Sequence, residues 1–454
     1  MPTKIDFIGG NTKRCLMAMA LPMMAAMFLN MMYNLVDSLW IGNLLGETAY
    51  AALTNSTPVI LLLTSVAMGA TNGVSILLSQ VIGAKDRIKT EGLIATSFCA
   101  AVVFSLLVTA LLEIFLPGIL KALNTPEETY DMAYGYLAIY VLGYFAVYLY
   151  LYFTAVLRSF GNSMFQAAAM LVSTILNAVL DPIFIHFIGF HGAAIATLLS
   201  QAICLLFMLI YLKKKKLFKF KISAFDKKEV WPLVQKAIPS VIQQSIPAIS
   251  TTFLTALVST YSVTAIAAYG VTGKLETILF YPAMALNMVL TAIIGQCIGA
   301  GSLEQVKYYT KKLMKITYFA TAILIIAIFA TLPLTFRIYH NISAQALELA
   351  AILVLIHNGC ALLIWPLSFT LPNVLKASND VRFTMVVSIF SMWMFRIVFS
   401  FIIGSWLGLG AIGVWIAMVM DWIFRAACFI WRYLSGKWKK YSGVPQEHKR
   451  MDTP

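Results

Sequence analysis

Charged residues are scarce in this sequence. Asp, Glu, Lys and Arg make up 11% of its 454 residues, whereas a soluble globular chain carries roughly 25%. Hydrophobic residues account for 60%. This composition excludes an ordinary soluble domain and favours a chain that is buried in lipid.

Motifs for catalysis and metal binding are missing as well. The six cysteines are scattered without CxxC spacing, and none of the five histidines pairs with another at metal-ligand spacing. The sequence has no Walker A motif, no GxSxG and no HExxH. We therefore expect no cofactor and no enzymatic activity, with an integral-membrane enzyme or a receptor as a remote alternative.

Apolar runs fill most of the chain instead. Each is about 20 residues or longer, which is enough to cross the hydrocarbon core as a helix. Twelve such runs are predicted, at 15–40, 51–82, 93–116, 132–156, 163–185, 192–212, 238–260, 266–298, 316–338, 347–374, 383–403 and 411–434. The fold class is therefore an all-α membrane protein with 12 transmembrane helices.

The net charge is +14, and the Lys and Arg residues behind it are distributed unevenly between the two sides of the predicted spans. If the N-terminus is cytoplasmic, only Lys121 and Arg337 fall on the outer side, and only Lys274, Arg396 and Arg425 lie in spans. The positive-inside rule explains this bias and argues against nucleic-acid binding. We expect a multi-pass protein of the inner (plasma) membrane with both termini cytoplasmic, and the lipid bilayer as its surroundings.

The two halves of the chain resemble each other. The segment QVIGA at 80–84 recurs as QCIGA at 296–300, and the order of further matches is preserved. We divide the chain into an N-lobe (1–212), a basic linker (213–236), a C-lobe (237–440) and a tail (441–454). Six spans per half predict two six-helix bundles related by a pseudo-two-fold axis along the membrane normal.

Two aspartates stand inside the first-half spans. Asp37 shares one helical stripe with Asn30 and Asn34, and Pro22 lies about four turns earlier, where it is expected to bend the helix. The alternative is that Asp37 lies at the outer headgroup level. An intramembrane carboxylate is costly unless it faces water or binds a cation, so it marks a functional site.

The second aspartate has an amide one turn before it. Asn177 and Asp181 lie on one helix face, and Pro182 frees a backbone carbonyl beside them. Carboxylates with an amide suit H⁺ or Na⁺ better than Mg²⁺ or a transition metal. The metal prediction is therefore limited to Na⁺ at Asp37, Asn177 and Asp181.

Other polar residues in spans carry weaker signals. Lys274, Glu276 and Arg396 are candidates for the substrate cavity, although Arg396 could equally pair structurally. Asp421 and Arg425, one turn apart, predict a structural ion pair.

Tyrosines recur every four residues from 136 to 152. This ladder favours helix packing or an interfacial belt. The alternative is a cavity wall that stacks on organic cations. We include Tyr140 and Tyr144 in the candidate substrate cavity, together with Tyr33.

The order and the spacing of these motifs resemble the motif pattern of one known family. The first-span proline followed by NxxDxxWIG, the QVIGA/QCIGA pair and NxxxDP in the fifth span are similar to the multidrug and toxic compound extrusion (MATE) transporters. The resemblance covers about residues 10–440. It implies alternating access and cation-coupled export of amphipathic organic cations, with Asp37, Asn177, Asp181 and Thr197 as the coupling site.

The chain departs from one branch of that family. The segments 238–259 of the seventh span and 354–375 of the tenth span contain no Asp or Glu, whereas branches with a C-lobe Na⁺ site have acidic residues there. This favours a DinF-like, N-lobe-coupled protein whose coupling residues are Asp37, Asn34, Asn177, Asp181 and Thr197.

The leading hypothesis is an H⁺- or Na⁺-coupled antiporter, most simply a monomer, whose partners are small organic cations and the coupling cation. A flippase for lipid-linked oligosaccharides is the alternative within the same superfamily, and it depends on Lys274 and Arg396.

Overall fold

The computed structural model describes residues 7–10, 12–123, 125–215, 224–338 and 342–444. Every regular element among them is helical, because a backbone in hydrocarbon must satisfy its own hydrogen bonds. The long helices are α1 (Thr12–Leu45), α2 (Glu47–Gly83), α3 (Arg87–Ala122), α4 (Glu127–Leu142), α5 (Tyr144–Ser159), α6 (Met164–Ile188), α7 (Phe190–Lys215), α8 (Lys227–Ser259), α9 (Val263–Gly299), α10 (Leu303–Ile338) and α11 (Ala344–Trp365). The remaining ones are α12 (Leu371–Ala377), α13 (Val381–Ser391), α14 (Phe399–Phe401) and α15 (Gly410–Leu434), and a 3₁₀ turn follows at Lys437–Lys440.

In the described ranges, eleven helices are long and apolar enough to cross a membrane, and a bent pair brings the number to 12. The predicted all-α membrane fold is therefore confirmed.

The bent pair is α4 and α5, which replace the single fourth span that the sequence predicted. The helix turns by 49° at Gly143. A Cβ at this position would meet the side chain of Leu198, so the missing side chain of Gly143 lets α7 pack closely at the bend. The regular tyrosine spacing concealed the break, because the residues on both sides keep helical geometry.

Three stretches of the last spans are π-helical: Pro366–Thr370, Met392–Val398 and Ile402–Trp406. A π-turn adds a residue to the helical repeat and rotates the side chains that follow it. Two of these stretches flank α14, and Arg396 lies inside the first of those two. The side chains of this span therefore do not follow the regular 100° spacing of an α-helix.

Contacts divide the described chain into two compact units. The first comprises 12–78 and Arg87–Ala248, and the second comprises Phe7–Gly10, Ser79–Asp86 and 249–444. The division after Ala248 lies inside α8, whereas the sequence suggested a boundary in the linker at 213–236. Residues 216–223 of that linker and 445–454 of the tail lie outside the described residues.

Glycines let α8 approach α2 closely within the first unit. A Cβ at Gly69 would overlap the backbone of Val241, and one at Gly73 would overlap the backbone of Ala237. This contact explains why the first half of α8 groups with the first unit.

The second unit contains the repeated QVIGA/QCIGA segments. Gly83 leaves no room for a Cβ beside the carbonyl of Gln296, and Gly299 leaves none beside the carbonyl of Gln80. The Gln80 amide also donates to the Ala377 carbonyl at 2.7 Å. We call this reciprocal contact the glycine crossing. It fixes the end of α2 against the end of α9.

Candidate functional site

Helices α1 and α6 bring the two intramembrane aspartates together. In the first unit α1 packs most extensively against α6. Two hydroxyls tie the pair: Ser163 donates to the Ala18 carbonyl at 3.2 Å, and Thr174 donates to the Leu29 carbonyl at 3.4 Å. Asp37 and Asp181, predicted from separate spans, thus lie on facing helices, with 9% of Asp37 and none of Asp181 exposed.

The two carboxyl groups lie within hydrogen-bonding reach of each other. Two ionised carboxylates at that separation repel each other, and neither has a proton to donate. A proton on one of them, or a cation between them, removes the repulsion.

Asn177 completes the group. Its amide nitrogen donates to Oδ1 of Asp181 at 2.9 Å. Three buried oxygens are then left, Oδ1 of Asp37, Oδ1 of Asn177 and Oδ2 of Asp181, and none of them accepts a hydrogen bond from the described residues. Since ionised carboxylates and an amide oxygen can only accept, these atoms need a hydrogen-bond donor or a cation as their partner. We call these three residues the acceptor cluster.

Helix α7 borders the acceptor cluster with hydroxyl groups. The Tyr33 hydroxyl lies 3.3 Å from the Ser200 hydroxyl and beside Thr197. Tyr33 is buried close to Asp37 on the same helix. The structure therefore places Tyr33 beside Asp37 of the acceptor cluster, whereas the sequence assigned it to a substrate cavity. Thr197, which the resemblance implied as a coupling residue, lies beside Tyr33.

The remaining first-span candidates are placed differently. Asn34 is exposed, and its amide donates to the Asn30 carbonyl of its own helix at 2.9 Å. Pro22 is buried inside α1, which continues as a helix through it.

The tyrosine ladder fills helix interfaces. Tyr140 and Tyr144 are buried, and the Tyr144 hydroxyl donates to the Leu63 carbonyl at 3.1 Å. Tyr152 donates to the Ile94 carbonyl at 2.9 Å. These contacts favour helix packing over a cavity wall.

A second polar group lies in the second unit, around Asp421. The predicted ion pair with Arg425 is present at 2.9 Å, and the Ser391 hydroxyl donates to the same carboxylate oxygen. The other oxygen lies 3.8 Å from Nη1 of Arg396. Arg396 therefore pairs within its own unit. Ser391 lies directly before the π-helical stretch that contains Arg396. Both side chains contact the Asp421 carboxylate.

Glu276 has a partner that the sequence did not indicate. Its Oε1 lies 3.5 Å from Nε2 of His357, and the other ring nitrogen lies 3.0 Å from the Asn358 amide oxygen. The ring also meets the edge of Trp422 at a centroid distance of 5.1 Å. Lys274 is exposed. Sequence reasoning missed His357, although an adjacent His and Asn inside an apolar span was the available signal.

The ligand types limit which cation the molecule could hold. The described ranges contain no group of three or more His, Cys, Asp or Glu that could bind a metal ion. Two carboxylates and an amide match a proton or Na⁺ more closely than a transition metal.

Comparison with known proteins gives the family. The MatE family matches residues 22–183 and 239–402, one stretch in each half. "Probable multidrug resistance protein YpnP" of Bacillus subtilis is 29% identical over 444 residues, covering 96% of this chain and 97% of that protein. "Probable multidrug resistance protein YoeA" of the same organism is 26% identical, covering 92% of both chains.

Solved structures share the fold. A crystal structure described as a MOP superfamily transporter from Pyrococcus furiosus superposes with a TM-score of 0.87 at 22% identity, covering 96% of this chain and 98% of that one. The family model and the curated relatives make the chain a multi-pass membrane transporter rather than an enzyme. With both halves matched, it belongs to the MatE family of multidrug and toxic compound extrusion transporters.

Proposed function

We propose that this protein is a cation-coupled antiporter that exports amphipathic, cationic organic compounds, with H⁺ or Na⁺ as the coupling ion. It would belong to a DinF-like branch, in which the N-lobe carries the coupling site. The acceptor cluster of Asp37, Asn177 and Asp181 is the observation that carries this proposal.

The chemistry of coupling follows from those buried acceptors. Binding H⁺ or Na⁺ relieves the repulsion between Asp37 and Asp181 and allows α1 and α6 to pack as they do. Loss of the cation leaves two facing carboxylates in an apolar surrounding, which favours separation of the helices. Pro22 lacks the N–H of a regular helix and supplies a point at which α1 can bend in response.

Exchange requires that the cation distinguish two states of the protein. Shifting a two-state equilibrium from 1:99 to 99:1 takes about 10⁴-fold tighter binding to one state. Two facing carboxylates meet this demand, because their mutual repulsion depends directly on whether the cation is bound. Carboxylates on a water-exposed surface could not provide this difference in cation affinity, since solvent screens their charges from each other.

The names of the relatives support export of drug-like compounds, since YpnP and YoeA are described as multidrug resistance proteins. A polyspecific surface is consistent with the 22 methionines of the chain, whose flexible side chains adapt to different ligands.

The experiment is flux in proteoliposomes with ethidium as the test cation. Asp37→Asn and Asp181→Asn should lower ethidium-driven H⁺ or Na⁺ movement to background. Asp131→Asn, which removes an exposed carboxylate of α4, is the matched control and should keep normal rates. Imposed pH and Na⁺ gradients, applied separately, identify the coupling ion. Wild-type rates in both N-lobe variants would exclude the proposed coupling site.

The flippase alternative depended on free cationic groups at Lys274 and Arg396. Arg396 lies 3.8 Å from Asp421, a carboxylate that it shares with Arg425, so Arg396 is not a free cation. Lys274 is exposed, and the pairing of Arg396 favours the antiporter. Transport of a lipid-linked oligosaccharide that is lost in Lys274→Gln and kept in Asp37→Asn would reverse this preference.

A further inference from the structure

A groove opens between α10, the π-helical turn before α12, and α15 in the second unit. Its volume is about 530 Å³, within the range of ligand pockets in proteins. The walls are mainly apolar, with Met314 on one side, Leu367 on another, and Ile430 and Leu434 on the third. None of these residues belongs to the acceptor cluster or to the polar group around Asp421.

Positive charge is confined to one end of this groove. Lys307 and Lys311 line it one helical turn apart on α10, and both are exposed. Further along the same helix the lining changes to Met314 and then Tyr318. From Lys307 to Tyr318 the helix rises about 16 Å. The groove is therefore cationic at its mouth and apolar along its length.

The cationic end coincides with the ends of the helices. Lys307 lies four residues after the start of α10 at Leu303, and Leu434 is the last residue of α15. Just beyond, Lys437 lies over the Trp431 ring with its Nζ 4.5 Å from the centroid. Lysines and aromatic rings at helix ends are typical of the headgroup level of a bilayer.

We propose that this groove binds one anionic phospholipid. The phosphate lies between Lys307 and Lys311, and an acyl chain follows Met314, Leu367 and Ile430 into the membrane. Basic pockets between transmembrane helices select anionic headgroups, because each lysine near the surface favours negative charge. The apolar walls require the chain, so a free phosphate does not replace the lipid.

Charge selectivity is tested first. The purified full-length protein is titrated with phosphatidylglycerol or phosphatidylcholine of identical chains, and bound lipid is counted by native mass spectrometry. Phosphatidylglycerol should be retained at least tenfold better. The double variant Lys307→Gln/Lys311→Gln should lose most of that preference. The control Lys312→Gln/Lys315→Gln removes two exposed lysines of the same helix that do not line the groove. This control variant should keep the preference for phosphatidylglycerol.

The apolar part is tested separately. Ile430→Trp fills the groove while leaving both lysines in place, and it should also reduce retention of phosphatidylglycerol several-fold. Thermal melting of each variant verifies folding, and Ile430→Trp provides the test if the lysine variant is unstable. Inorganic phosphate at millimolar concentration should not displace the lipid.

Three outcomes would overturn the proposal. Equal losses in the two lysine pairs would indicate a general surface charge effect, full displacement by inorganic phosphate would indicate an ion site, and equal retention of both lipids would indicate an unselective surface. None of these measurements depends on transport, so the result stands whether or not the acceptor cluster couples export.

Discussion

The Asn177 amide donates a 2.9 Å hydrogen bond to the Asp181 carboxylate one turn further along α6. This bond fixes one carboxylate oxygen and directs the other away from the amide, where it meets no donor among the described residues. The site is thus an oriented acceptor rather than merely a buried charge.

Asn177→Ala should therefore impair coupling without unfolding the protein. A hydrogen bond to a charged group contributes about 1.5–3 kcal/mol, so we expect roughly a tenfold or greater loss of cation-coupled ethidium flux. Ser173→Ala, which removes a buried hydroxyl from the preceding turn of the same helix, is the control and should have a much smaller effect. A similar loss in both variants would indicate that α6 as a whole is disturbed.

Asp421 should be a stability residue. Removing it leaves the buried Arg425 and the half-buried Arg396 without a counter-charge, and breaking a buried ion pair costs about 3–5 kcal/mol. We expect Asp421→Asn to lower the melting temperature in detergent sharply. The double variant Asp421→Leu/Arg425→Met should recover part of the loss, because it also removes one of the stranded charges. A melting temperature of Asp421→Asn equal to the wild type would refute this role.

The glycine crossing should not tolerate a methyl group. Gly299→Ala brings a Cβ against the Gln80 carbonyl, and overpacking of this kind costs about 1–3 kcal/mol. Gly273→Ala lies on the same helix, where a Cβ meets nothing within 4 Å, and it should be neutral or stabilising. Thermal melting of the two variants gives the comparison, and equal behaviour would contradict the tight contact.

Arg432 should resist replacement by lysine. It donates to both Asp380 carboxylate oxygens, at 2.7 and 3.2 Å, and its guanidinium lies 4.6 Å from the Phe383 ring centroid. Lysine keeps the charge but loses the two-pronged geometry and the stacking. We expect Arg432→Lys to lower the melting temperature measurably, whereas Lys440→Gln, an exposed lysine nearby, should leave it unchanged.

Much of the fold could be predicted because hydrocarbon leaves the backbone few options. Long apolar runs had to become helices, and Asp37 and Asp181 stood out because a carboxylate is costly there. The bend at Gly143 could not be predicted, since the tyrosine spacing continues across it and the close packing of Leu198 there is a contact between helices.

Contacts between residues that are far apart in the sequence could not be predicted either. Glu276 and His357 lie on different helices, 81 residues apart in sequence, so no local spacing pairs them. Arg396 lies in a π-turn, so regular helical spacing does not give the direction of its side chain. Sequence periodicity describes one helix at a time, whereas these contacts arise from packing.

The glycine crossing has a consequence for how the two copies of this duplicated chain can change. Each glycine makes room for the backbone of the other copy, so a side chain added to one copy is tolerated only if the opposite helix withdraws. Elsewhere the halves differ, since the second half has no acidic residue at the positions that match Asp37 and Asp181. At this position each copy therefore restricts which residue the other can carry. A half transplanted from another protein would need the same glycine.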